Sequence, residues 1–155
     1  MATPRKKRGR WRTGDLVRID LGQGYCSYGR VLDDACVAFY DSRSKVELKP
    51  EIILARPILF QTGVMKYALT SGRWQVLGNF HLDPSLAKPR KFFIQDPLNG
   101  SFSIYRGGRI KPATRSECRG LECCAVWEPE HAEDRLRDHY AGRKNKWVES
   151  MLPRH

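Results

Sequence analysis

Long apolar runs are missing from this chain. The most apolar stretch, Ile52 to Phe60, is interrupted by Arg56 and Pro57, well short of the ~20 apolar residues a spanning helix needs. No membrane segment is expected, and no apolar signal-peptide core follows the basic N-terminus. Cysteine is sparse: Cys26, Cys36, Cys118, Cys123 and Cys124, an odd count with no Cys-x-x-Cys pair. That pattern argues against a disulfide framework and a zinc ribbon. A reducing, cytoplasmic setting is the expectation, with all five thiols as small buried side chains. Cys26 and Cys36 are expected to face each other across a hairpin. Gly22, Gly24 and Gly29 fit no G-x-G-x-x-G loop leading into a helix, and no Ser, Cys or Thr sits in a nucleophile signature. No metal, cofactor or catalytic residue is expected.

Negative charge is the scarce kind. There are 17 Asp+Glu against 28 Lys+Arg, a net +11 over 155 residues. A balance of this kind raises nucleic acid or an anionic surface as a partner. Six of the cations, Arg5, Lys6, Lys7, Arg8, Arg10 and Arg12, fall in the first twelve residues, and without them +5 remains (11 minus 6). Residues 1–13 therefore read as a flexible basic arm, able to bind nucleic acid through those six side chains. Residues 14–155 read as one domain, a size that buries most of its apolar surface.

Within that domain, short β-prone runs alternate with turn residues. Leu16-Val17-Arg18-Ile19 leads into Gly22-Gln23-Gly24, then Tyr25 to Leu32, the Asp33-Asp34 turn, and Ala35 to Tyr40. Gly29 inside the second run marks a bulge or tight bend. Residues 42–51 read as a loop, Ile58 to Leu69 as one β-run, Trp74 to Phe80 as another, and the Asp83-Pro84 to Lys88-Pro89 region as loop. Phe92–Gln95 and Phe102–Tyr105 flank Asp96-Pro97-Leu98-Asn99-Gly100, a hairpin whose Asn-Gly accepts positive φ. Thr114 and Glu117 have capping-box spacing, so a short helix ending at Gly120 is expected, followed by a last strand over Cys123 to Trp127. The fold class is mostly β with an α+β arrangement: a curved antiparallel sheet or partly open barrel with short C-terminal helices.

The last helix holds the acids. Pro129 suits its first turn, Ala132, Leu136 and Tyr140 form a narrow apolar stripe, and Gly142 suits its stop. Five acids, Glu128, Glu130, Glu133, Asp134 and Asp138, face only Arg135 and Arg137 in that span. An acidic helix on a cationic protein is a surface for a basic partner. Glu130, Glu133, Asp134 and Asp138 are the candidate charged contacts, with Tyr140 and Trp147 as aromatic anchors. His131 and His139 flank Arg135 at helical spacing but lack a partnered nucleophile, so they read as surface histidines.

Aromatics interleave with cations: Trp11 in the arm, Tyr25 and Tyr28 beside Arg30, and Tyr105 beside Arg106 and Arg109. Rings plus cations hold single strands. The first hairpin, Gly14-Asp15-Leu16-Val17-Arg18-Ile19 then Gly29-Arg30-Val31, resembles the KOW segments of ribosomal and transcription proteins. That likeness implies an SH3-like hairpin approaching RNA, and with the basic arm it forms the alternative reading of function. A broader likeness covers Thr13 to roughly Leu152. It is carried by Gly14-Asp15-Leu16-Val17-Arg18-Ile19, Val37-Ala38-Phe39-Tyr40-Asp41, Phe92-Phe93-Ile94-Gln95-Asp96-Pro97, Ala125-Val126-Trp127-Glu128-Pro129-Glu130-His131 and Arg135-Leu136-Arg137-Asp138-His139-Tyr140. Together these resemble the immunity protein 26 family of bacterial polymorphic-toxin systems. The resemblance implies a mostly β protein that binds and neutralises a cognate toxin without catalysis. It also carries a tension: immunity proteins against basic nucleases are commonly acidic, and this chain is basic.

Overall fold

The computed structural model describes residues 9–155. Strands β1 (Asp15–Gly22), β2 (Tyr25–Val31) and β3 (Cys36–Ser44) form the expected meander, continued by β4 (Ile58–Val64). Strand β5 (Gln75–Asn79) joins the far edge beside β1, and β10 (Val126–Trp127) joins the other edge, giving the order β10-β4-β3-β2-β1-β5. A second sheet holds β6 (Lys91–Gln95), β7 (Phe102–Arg106), β8 (Arg109–Ala113) and β9 (Glu122–Cys123), ordered β8-β7-β6-β9. Five short helices complete the chain: α1 (Pro50–Leu54), α2 (Tyr67–Thr70), α3 (Pro84–Ala87), α4 (Pro129–Ala141) and α5 (Lys146–Ser150). The mostly β, α+β class is as expected. Neither sheet closes into a barrel, and each is mixed, because β10–β4 and β6–β9 pair in parallel. Among the described residues no helix is long and apolar enough to cross a membrane.

Both faces of the first sheet are covered. Val17, Ile19, Leu21, Val37, Phe39 and Phe60 point to one side, against Trp74, Ala132 and Leu136. Leu16, Tyr28, Tyr40 and Ile53 pack on the other side, and so do Leu32, Cys36 and Ala38, which meet Phe92 of the second sheet. Burial on both faces explains why Val37-Ala38-Phe39-Tyr40 reads as a continuous apolar run instead of an alternating one. Arg30, read in the sequence as a cation beside Tyr25 and Tyr28 able to hold a single strand, is instead buried in β2. It donates to Tyr40 Oη at 3.2 Å, Phe80 O at 2.9 Å and His81 O at 3.2 Å. The guanidinium thereby pins the segment after β5 onto the sheet. Gly29 does mark an irregularity: the β2–β3 register shifts between Ser27 and Gly29. A Cβ there would meet Val37 Cγ1 at 2.9 Å.

The differences from expectation are short-range. The run Ile58 to Leu69 leaves the sheet after Val64 and turns into α2. The first supposed loop starts as the end of β3 and ends as the start of α1, and the second contains α3; each helix has proline in its first turn, where proline's missing N–H goes unneeded. Helices of four or five residues carry no readable periodicity. At Thr114 the capping box forms, with Thr114 N donating to Glu117 Oε1 at 2.9 Å and Glu117 N to Thr114 Oγ1 at 3.2 Å. It caps a run of turns, not a helix, and Gly120 at φ +80° ends it. The supposed last strand, Cys123 to Trp127, is divided between the sheets. Cys124 N donates to Phe93 O in one, and Met65 N to Trp127 O in the other. Cys26 lies opposite Ser44 and Cys36 opposite Gly63, so these thiols do not face each other. Cys26, Cys36 and Cys118 are buried as expected, Cys123 partly so, and Cys124 is exposed.

At the crossing between sheets Gly63 is essential: a Cβ there would stand 2.7 Å from Ala125 O, a backbone atom. Gly63→Ala is expected to push β10 off β4 and to cost about 1–3 kcal/mol, the range of an overpacked site. Denaturant unfolding at equilibrium checks this, and unchanged stability would mean that β10 moves freely.

Candidate partner-binding surface

Helix α4 begins where expected. Pro129 opens it, and Gly142 closes it at φ +68°, its N–H returning to the Asp138 and His139 carbonyls. Glu128 makes no side-chain cap; its carboxylate accepts from the Tyr67 hydroxyl of α2. Ala132 and Leu136 are fully buried against the first sheet. Arg135 lies on the Phe60 ring at 3.6 Å and reaches Glu122 of β9, with Nη1 donating at 3.1 Å. The helix is thus held to both sheets.

The four candidate acids are brought to one helix, but not to one free surface. Glu133 is only 4% exposed. Its carboxylate accepts from Arg73 Nε and Nη2, both at 2.8 Å, and from Trp74 Nε1 at 2.9 Å. This is an interior clamp and is corrected from the expected contact set. Burial requires it, since an ionised carboxylate taken from water must find donors. Asp134 accepts from Arg137 Nη2 at 2.8 Å and from Trp147 Nε1 at 3.4 Å. Burial works against its ionisation, but those two donors and the Arg137 charge outweigh it and hold the pKa below the ordinary value. Asp138 takes Asn145 Nδ2 at 2.9 Å and Arg143 Nε at 3.3 Å. Asn145 in turn caps α5, accepting from Trp147 N and Val148 N. Only Glu130 keeps a carboxylate about half exposed, 3.7 Å from Arg73. The local negative field expected of this helix is countered by Arg73 from elsewhere in the chain, by Arg137 within the helix and by Arg143 just past it.

The two candidate anchors are also engaged. Trp147 is half-buried, its ring stacked on His131 at 3.6 Å. Tyr140 is half-buried too and donates to Asp41 Oδ1 at 3.2 Å, with Arg43 over its ring at 5.0 Å. Burial, then the Asp41 charge, pushes the Tyr140 phenol up to about 12. His139 is exposed, 3.9 Å from Asp41. His131 thus lies on the Trp147 ring, while His139 meets the Tyr140 ring edge-on at 4.9 Å.

The rings proposed for nucleic acid are occupied as well. Arg43 and Lys45 cover Tyr25 at 4.3 and 5.1 Å. Tyr28 is fully buried, and Tyr105 donates to Asp34 at 2.6 Å. In the arm, Gly9 N donates to Leu69 O at 3.1 Å and Trp11 packs on the main core. Residues 9–13 thus run along the body, with Arg10 and Arg12 exposed. Arg5, Lys6, Lys7 and Arg8 lie outside the described residues. No group of three metal-ligating side chains occurs among the described residues.

Arg106 and Arg109, read in the sequence only as cations beside Tyr105, belong to a larger cationic site. Lys91, Arg106, Arg109 and Lys111 surround a groove of about 510 Å³ on the second sheet. Arg109 and Lys111 alternate with Ile110, a period-2 signal, but β8 was concealed because Gly107-Gly108 reads equally well as the end of a strand.

The sequence profile of immunity protein 26 matches residues 12–104, more than half of the chain. The chain belongs to the immunity protein 26 family. No curated protein and no solved structure matches it significantly.

Two outcomes follow from these contacts. Glu133→Gln is expected to cost about 1–3 kcal/mol, less than the 3–5 of a fully buried broken pair because Arg73 is partly wet. A double-mutant cycle with Arg73→Gln isolates the pair, and zero coupling would refute the clamp. Tyr140 favours its neutral form when folded, so its contribution is intact below about pH 10, the ordinary phenol value. It is lost as pH rises through about 12. Tyr140→Phe should flatten that alkaline loss in stability-versus-pH curves.

Proposed function

We propose that this protein binds and neutralises a cognate toxin by protein–protein contact, in the cytoplasm of a bacterium carrying a polymorphic-toxin system. Membership of the immunity protein 26 family, over residues 12–104, carries this reading. Neutralisation of this kind is a binding event and needs no catalytic step. The charge distribution refines it. A basic immunity protein either meets a toxin surface that is not basic, or uses a local acidic patch within a positive field. With Glu133 buried and Asp134 and Asp138 paired, the second option loses its support. The partner surface is inferred to be acidic, approached by a protein of net +11, which would speed encounter at low salt.

The alternative, nucleic-acid binding through the basic arm, retains the exposed Arg10 and Arg12 but not the free ring platforms that hold bases. Co-expression with the toxin encoded beside its gene tests the proposal. Growth should be restored, and the two proteins should co-elute as a complex from size exclusion. Continued killing with no complex would refute it.

A further inference from the structure

The second sheet carries an arrangement that its own stability does not favour. In the paired register, Lys91 faces Arg106 and Arg106 faces Arg109, so three cations form one cross-strand row. Lys111, opposite Ile104 in the next row, projects from the same face. Like charges set directly across a sheet repel. The two-residue turn Gly107-Gly108, with φ +57° and +83°, closes the hairpin at Arg106 and Arg109 and fixes that register. None of the four cations makes an ion pair among the described residues. The one carboxylate lining the groove, Glu117, is tied to Thr114 N at 2.9 Å.

The lining between the cations is apolar, with Ile104 and Ala113 on the same sheet face and Pro89 beside them. No aromatic ring lines it, so the stacking surface a single-stranded nucleic acid uses is missing. The edge of β8 is also blunted against strand addition. Pro112, opposite Ser103, has no N–H, which places 110 and 112 as the outward-facing residues. Ile110 alone then offers an outward donor within β8, because the next one, Thr114 N, is taken by Glu117. Recognition therefore falls to side chains: guanidinium forks and ammonium groups around an apolar floor. Lys91 and Ile104 lie within the stretch 12–104 that the family profile matches, and Arg106, Arg109 and Lys111 lie beyond it.

We propose that this groove on β6, β7 and β8 docks an acidic segment of the partner toxin, its carboxylates on Lys91, Arg106, Arg109 and Lys111 and an apolar side chain over Ile104. The proposal rests on the toxin-binding reading above. It is tested on the full chain with the toxin encoded beside its gene, by stopped-flow association at low and high salt. Arg106→Glu/Arg109→Glu should slow association about tenfold or more at low salt and flatten its salt dependence. Thermal melts should show the variant no less stable than wild type, since the reversal makes the 91–106 pair attractive while the 106–109 pair stays like-charged as before. If it fails to fold, Arg109→Gln with Lys111→Gln takes its place, with the same expected direction. Wild type and variants binding the toxin alike would overturn the groove and leave the toxin reading standing. Wild type failing to bind at all would overturn both. A labelled 20-nucleotide single strand, bound by wild type and released by the same substitutions while toxin binding is unaffected, would reassign the groove to nucleic acid.

Discussion

The Glu133 carboxylate is the constraint on which the arrangement of helix and sheets turns. It sits in the interior with three donors from Arg73 and Trp74. Trp74 meets Phe39 edge-on at 5.7 Å, and Phe39 stacks on Phe60 at 4.5 Å. Arg135 lies over Phe60 and returns to Glu122 at the edge of the second sheet. One buried anion therefore begins a path of contacts running from α4 through the core of the first sheet to β9. A buried charge tolerates only a narrow set of partner positions, because each missing donor leaves it uncompensated in a poor dielectric.

That constraint also decides the electrostatics of the surface. Most of the acids that make α4 conspicuous as a sequence are consumed in holding the fold: Glu133 on Arg73, Asp134 on Arg137, Asp138 on Asn145 and Arg143. Exposed cations are left without an equal number of exposed anions to balance them. Four of these cations, Lys91, Arg106, Arg109 and Lys111, are gathered on the second sheet. Surface pairs screened by water contribute little stability, so unpaired cations there are tolerated, whereas an unpaired Glu133 would not be.

Local chemistry was largely legible. The meander β1–β3, the Asp96 to Gly100 hairpin, and α4 between Pro129 and Gly142 all follow from turn residues and periodicity acting over a few positions. The capping box at Thr114 formed its hydrogen bonds although no helix grew from it, because a cap supplies one or two bonds and a helix needs a further run of favourable residues. The helices of four and five residues were illegible, being shorter than any period that would announce them. The split of Cys123 to Trp127 between two sheets was illegible too, since two-residue strands are defined only by what they pair with.

By itself, the sequence determined the β-dominated class, the bounds of the acidic helix, the likeness to immunity protein 26 and a net charge of +11. Only the tertiary structure decided which charges remain available to a partner. The reason is distance along the chain: Arg73 and Glu133 meet from sixty positions apart, and Lys91 stands beside Arg106 through strand register. Propensity and spacing act between near neighbours, whereas pairing and burial are set by which distant segments the fold places face to face.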